Sequence, residues 1–489
     1  MSRTKFFISG IIAIYAIRLV LSLSMGLMPQ DAYYYFYSEH LALSYFDHPP
    51  MVAYMLKFFS LFLGKSVWAV KLTDFIVTFS SFTAFYYLSS NFLSKERNIK
   101  TVFFYATTFL LTIISINTTP DVPLIFFWTL SLISIYKAVF EKKIIFWILS
   151  GILMGLAFDS KYTALFLPFG LILFLLISKD HRRFLFSKEL FLTIIFFVIT
   201  VSPVFIWNIQ NNWASFRFQS SERAGSISDF NLEPILFLGN LGTQMLILLP
   251  VLFIGVVVIL SKYVKKIFKK GMLRNNKDLF LLSFSLPIIL FFFGISLFYW
   301  VKLNWIMPGY IAVIILVARY MSLKWLRIQI IISLILHLIF LTEVIFYPVP
   351  VKSDDTWYGW EELSAEVKTI QQSVPDSFIF ANDGYKTSAA LGFFLDEDIY
   401  AGNVLGEFAL QYSMVYPDLS SLEGKNAIFI DSDKRIKDLN RSKKIPADLK
   451  VYFENIEQLD PIIIRNKKGK AMRKFYVYRC ENYRNKLNP

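Results

Sequence analysis

The chain has one cysteine in 489 residues, Cys480, which excludes an internal disulfide and any cysteine-based metal cluster. It is short of charge: Asp, Glu, Lys and Arg make up 18% of it, too little to solvate the surface of a soluble protein of this length. It has no glycine-rich phosphate loop. It has no internal repeat. Acids are the scarcer charge, 36 against 50 bases, giving a net charge of +14. Such an excess can serve nucleic acid, but here the bases sit mostly in short loops between apolar runs. That distribution belongs to a membrane protein and argues against a nucleic-acid partner.

What the chain has in abundance is apolar and aromatic surface, 55% and 18% of its residues, with a mean hydropathy of +0.51. The apolar residues come in runs of roughly 20, the length that crosses a hydrocarbon core about 30 Å thick. The first run follows Arg3 and Lys5, as in a signal peptide, but it is long and lacks a small-x-small cleavage site, so it is expected to remain as a first span. Eleven spans are predicted, at 6–28, 67–91, 101–117, 122–140, 144–159, 162–178, 189–208, 235–261, 279–300, 303–322 and 325–347. With the N-terminus in the cytoplasm, the inner loops and N-terminal tail hold 22 Lys and Arg against six in the outer loops. The bias orients the protein with its N-terminus in the cytoplasm. The basic run at 262–278 is read as an anchor against anionic membrane lipid.

The outer segments are then 29–66, 117–121, 158–162, 209–234, 300–303 and everything after 348. The first is too long for a turn. Within it LALSYF and MVAYMLKFFSLFLG read as two short interfacial helices split by His48-Pro49-Pro50. The segment 209–234 is polar, with Gly225 and several serines, and is expected to act as a lid. After Pro350 the pattern becomes that of a soluble domain. SFIFAND, NAIFID and KFYVYRCE read as strands and YKTSAALGFFL as a helix. The expected fold is therefore an all-α polytopic membrane bundle over 1–349 with interfacial helices in its first outer loop, followed by a small periplasmic α/β domain over 350–489.

Ionisable residues hug the outer boundary of the spans. Asp31 follows the first span, Asp121 lies between the third and fourth, Lys161 between the fifth and sixth, and Lys302 between the ninth and tenth. Polar groups at such junctions are costly unless they line one cavity. Two acids with several bases suit a phosphate-bearing lipid, the cations on the phosphate and an acid near the acceptor. Each also has a structural reading. Asp31 suits a helix cap, Asp121 the N-terminal end of a helix dipole, and the two lysines snorkelling to head groups. His48 suits a brace for the Pro-Pro turn. Arg217 and Arg223 fit lipid head groups. Asp47 and His48 are a two-ligand metal signal with no visible third member, so a divalent cation stays open and no cofactor is firmly expected. Lys71 and Asp74, three apart on one helix, are expected to pair with each other. Arg18 and Glu343 have no assignment.

Five segments in order, DAYYYFYSEHLALSYFDHPPMVAY, TTPDVPLIFFWTL, GLAFDSKYTALFLP, SPVFIWNIQNNWASFRFQ and VKLNWIMPGYIA, resemble bacterial glycosyltransferase family 39. This is the GT-C group that includes relatives of the protein O-mannosyltransferases and the lipid A aminoarabinose transferases. The resemblance covers about residues 1–350, and YKTSAALGFFL is similar to the family's outer domain. It implies transfer of one sugar from a polyprenyl-phosphate carrier on the outer side of the inner membrane. It further implies that Asp31 is the essential carboxylate and Asp121 the acid of the second outer turn. The residue before Pro-Pro contacts phosphate in the aminoarabinose branch, where it is typically Lys; here it is His48, only partly charged near neutral pH. That departure shifts the phosphate onto Lys161 and Lys302. DAYYY also lacks the second acid that commonly follows the first, which separates this chain from both named branches.

The resulting expectation is inverting displacement at the anomeric carbon. Asp31 and Asp121 are the catalytic candidates, with His48, Lys161, Lys302, Arg217, Arg223 and Tyr34 as substrate or phosphate contacts. The acceptor is lipid A or another envelope glycan or protein, and the enzyme acts as a monomer. A transporter would put its charges near the bilayer midplane between repeats; these collect at the outer rim.

Overall fold

A computed structural model describes residues 3–222, 231–270, 275–434, 436, 439 and 444–485. Helices dominate as far as Phe346: α1 (Arg3–Ser24), α2 (Pro29–Glu39), α3 (Met51–Leu63), α4 (Val67–Ser90), α5 (Lys95–Ala106), α6 (Phe109–Ile116), α7 (Asp121–Tyr136), α8 (Ile144–Ser160), α9 (Phe166–Ile177) and α10 (Lys188–Gln210). Others follow at Pro234–Leu248, Pro250–Lys270, Asn276–Ser283, Leu286–Ile295, Met307–Ala318 and Leu323–Phe346. Among the described residues five helices are long and apolar enough to cross a bilayer alone, and eight when each sharply bent pair counts once. Three shorter apolar helices, Ile144–Ser160, Tyr162–Ile177 and Met307–Ala318, lie where three of the eleven spans were expected. The protein is a multi-pass membrane bundle.

Its departures from the sequence reading have physical causes. LALSYF is not helical; the helix that precedes α3 in that loop is α2, which starts at Pro29 and contains Asp31. Pro at the first turn has φ already set for a helix and no N–H to waste, whereas Leu41–Phe46 is cut short by the turn into Pro49-Pro50. The segment expected as one span over 101–117 is broken by 53° between α5 and α6. The carbonyls the break frees are satisfied internally, as a membrane interior requires. Arg18 Nη2 donates to the Thr108 carbonyl at 2.6 Å and Ser333 Oγ to the Thr107 carbonyl at 2.8 Å, which gives Arg18 its role. The span expected over 235–261 is two helices bent by 114° at Leu249, whose φ is +64° before Pro250. Gln329 Nε2 caps the Leu248 carbonyl at 2.8 Å.

Beyond the bundle lies a six-stranded mixed sheet: β1 (Ser377–Ala381), β2 (Ile399–Tyr400), β3 (Asn426–Asp433), β4 (Phe453–Gln458), β5 (Ile462–Arg465) and β6 (Ala471–Tyr483). The order is β2-β1-β3-β6-β4, with β5 also on β6. β1 runs parallel to β2 and β3, and β6 antiparallel to β3. Side chains alternate across the strands. Ile379, Ile428, Ile430 and Val477 pack with Trp360 and Leu363 of helix Trp360–Ser373, while Phe378, Phe380, Phe429 and Tyr478 pack on the other face. Ala389, Phe393 and Tyr412 of this region belong instead to the apolar core of the bundle. The sheet domain is joined to the bundle by shared core as well as by chain.

Candidate active site

Asp31 is the third residue of α2, and its Oδ2 accepts from the Met28 amide at 2.7 Å, so it does cap its own helix. It does more than that. Oδ1 accepts from the Thr118 amide at 2.7 Å, and Lys71 Nζ of α4 lies 2.5 Å from Oδ2. Lys71 also donates to the Ile116 carbonyl at 2.5 Å. Both side chains are fully enclosed, 0% exposed. A carboxylate and an ammonium can be held there only as a pair with their remaining hydrogen bonds made. The expected Lys71–Asp74 pair is therefore not formed: Lys71 serves Asp31 and Ile116, and Asp74 Oδ2 takes the Thr118 hydroxyl at 2.6 Å.

Asp121 opens α7 three residues further along the same turn. Lys161 Nζ is 2.9 Å from both of its carboxylate oxygens, and Asn304 Nδ2 donates to Oδ2 at 2.5 Å. Lys161 is placed by the end of α8, where the chain turns extended before a short 3-10 segment. Three junctions distant in sequence thus converge on one carboxylate. Asp159, two residues before Lys161, is a further buried acid. Its Oδ1 has no hydrogen-bond donor among the described residues.

The His48 loop is built from aromatics. Tyr33 and Tyr37, one helical turn apart on α2, both donate to Asp47 Oδ1, Tyr33 at 3.2 Å. Burial first, and then the charge of Asp47, hold both phenols well above their ordinary pKa, so they stay protonated donors. Gln219 Nε2 donates to the Asp47 carbonyl at 2.5 Å. Tyr34 is buried, with its ring centroid 5.4 Å from Tyr37 and 5.9 Å from His48. Asp47 and His48 are still a two-donor set: among the described residues no third His, Cys, Asp or Glu joins them. With two phenols already on Asp47 Oδ1, the donors present do not fit a resident metal.

Of the predicted residues, Asp121 and Lys161 meet directly, and Asp47, His48 and Tyr34 cluster. Asp31 finds a lysine outside the predicted set. Lys302 is exposed, two residues from Asn304, and Arg217 is exposed, two residues from Gln219. Arg223 lies outside the described residues, with the rest of 223–230 of the expected lid; the described remainder holds short helical turns at Ala214–Arg217 and Phe218–Glu222. Sequence reasoning missed Lys71 as the partner of Asp31, along with Asn304 and Gln219. A lysine inside an apolar run was the available signal for the first, since such a charge is costly without a partner nearby. The amides carried no signal of their own.

A polytopic helical bundle with paired acids and lysines at one rim, helices in its first loop and a small sheet domain is the architecture of the GT-C fold. Known proteins resemble it in sequence and in structure. Residues 47–207 match the family model described as dolichyl-phosphate-mannose-protein mannosyltransferase. Over 321 residues, 65% of this chain and 66% of the relative's length, it is 23% identical to the lipid A galacturonosyltransferase RgtD of Rhizobium johnstonii. Crystal structures of ArnT from Cupriavidus metallidurans share the fold at 12% identity. The apo form has a TM-score of 0.64, covering 98% of both chains. The form bound to undecaprenyl phosphate has a TM-score of 0.65, covering 97% of this chain and 98% of that one. The chain therefore has the GT-C fold and resembles the protein O-mannosyltransferase family over residues 47–207.

Proposed function

We propose that this protein transfers a single sugar from a polyprenyl-phosphate donor to lipid A on the periplasmic face of the inner membrane. The observation that carries the reading is the pair of buried Asp–Lys contacts tied through the turn 118–121 beneath α2 and the His48 loop. Similarity to a lipid A galacturonosyltransferase and to a fold that holds undecaprenyl phosphate supports the substrates.

In the proposed reaction the bond between the anomeric carbon and the phosphate oxygen breaks. A bond from the acceptor oxygen forms on the opposite face, inverting the configuration. Charge grows on the leaving phosphate, which His48, Lys302 and the arginine-bearing segment around Arg217 offset, with Lys161 sharing its charge between Asp121 and that phosphate. Asp31, wholly enclosed with its Lys71 partner, is suited to orienting rather than to taking a proton. An anionic acceptor phosphate needs no base, which fits lipid A. For a hydroxyl acceptor, Asp121 is the carboxylate that takes the proton.

The second reading, protein O-glycosylation, is favoured by the family model over 47–207. Mass spectrometry of lipid A from cells with and without the gene separates the two. Loss of one sugar mass, absent also with Asp31→Ala, supports the lipid A reading. An unchanged lipid A profile with a sugar missing from envelope proteins supports the second.

A further inference from the structure

The sheet domain reaches into the His48 loop at one buried side chain, Gln411. Its Oε1 accepts from the Phe46 amide at 2.8 Å, and its own amide donates to the Tyr33 hydroxyl at 3.2 Å. Tyr33 in turn donates to Asp47, so one residue of the C-terminal domain holds the backbone before Asp47 and, through a phenol, its carboxylate. Around this point the contact is aromatic. Tyr33 stacks on Tyr385 with centroids 4.2 Å apart, Phe36 stacks on Tyr412 at 4.4 Å, and Phe46 lies against Phe408 at 4.5 Å and Phe218 at 4.8 Å. Gln219, from the segment after α10, also holds the loop, at the Asp47 carbonyl. Residues 46 and 47 are thus clamped between the C-terminal domain and the segment after α10. The backbone at Leu410, with φ +49°, adopts the left-handed region to present Gln411. Strain of this kind is retained where the surroundings require the next residue's placement.

We propose that Gln411 is a positioning residue of the transferase site. It fixes the loop that carries His48, which makes the C-terminal domain a working part of phosphate binding rather than a cover. The inference rests on the reading of His48 as a phosphate contact. Gln411→Met removes the acceptor at similar volume and keeps the backbone N–H on Tyr33. The test is binding of undecaprenyl phosphate to the full-length protein in nanodiscs, for wild type, Gln411→Met, His48→Ala and the double variant. Gln411→Met is expected to weaken binding about tenfold, the scale of one buried hydrogen bond lost. The double variant is expected to bind no more weakly than His48→Ala alone. Gln411→Glu, which restores an acceptor at Phe46, is expected to recover most of the affinity. Should Gln411→Met not fold, Tyr33→Phe cuts the second link, from the Gln411 amide through the phenol to Asp47, and is expected to be equally silent on top of His48→Ala. Wild-type binding by Gln411→Met, or losses that multiply in the double variant, overturn the role of Gln411 alone. Wild-type binding by His48→Ala overturns the phosphate reading of His48 and this proposal with it.

Discussion

Asp31 and Asp121 both meet a lysine, yet the two pairs are built in different ways. The Asp31–Lys71 pair is sealed, with both side chains fully buried and every strong donor supplied by the fold: an amide of its own helix cap, the Thr118 amide and the ammonium. The Asp121–Lys161 pair is assembled from three junctions and keeps a trace of exposure on Lys161. The difference separates what a charge does for the fold from what it does for chemistry. A sealed pair holds α2 against α4 and fixes the first loop. A pair at the edge, reinforced by a side-chain amide, can change partners as a charged lipid arrives.

The contrast breaks first at Lys71. Lys71→Met strands the Asp31 carboxylate and is expected to cost about 3–5 kcal/mol, the range for breaking a buried pair, read as a fall in thermal unfolding temperature in detergent. Asp31→Asn with Lys71→Met is expected to regain much of that loss. An equal loss from Lys161→Met would erase the distinction. Asp121→Asn is next. It should leave the protein folded while reducing transfer by about 10²-fold or more, the scale of a lost acid–base or electrostatic group, measured as turnover of a lipid-linked sugar donor. A smaller change is expected from Asn304→Ala, about tenfold in transfer with little shift in unfolding, because Lys161 still holds Asp121 on two oxygens.

The smallest effect concerns pH at the joint between bundle and sheet domain. Burial acts to raise the pKa of Asp355, but hydrogen bonds from Lys386, Gln30 and Ser353 and the Lys386 charge outweigh it and hold the group below its ordinary value. A carboxylate depressed in the folded state contributes stability above its unfolded pKa and loses it as pH falls through the folded one. Amide exchange in α2 and in 353–357 is therefore expected to rise only below the usual Asp range, and Asp355→Asn should flatten that response.

Much of this was legible in the sequence, and the rest was hidden for definite reasons. Apolar runs located the helices because a bilayer demands length and internal hydrogen bonding together. Alternation in SFIFA and NAIFID gave strands that pair in the sheet. The convergence of Asp121 with Lys161 followed from polar residues sharing junctions at one rim. The breaks at Thr107 and Leu249 were not legible, since the groups that make them tolerable, Arg18, Ser333 and Gln329, come from elsewhere in the chain. Lys71 was misassigned because spacing on one helix shows which residues are neighbours, not which carboxylate arrives from another element. Gln411 lay in a segment with no local pattern at all; only the packing of Tyr412 and Phe408 on the first loop brings it in.

The most direct measurement is single-sugar transfer from a polyprenyl-phosphate donor to lipid A by the purified protein, wild type against Asp121→Asn, after both are shown to unfold at comparable temperature. The account predicts transfer by the wild type and loss of at least about 10²-fold in the variant. Full transfer by Asp121→Asn would contradict it.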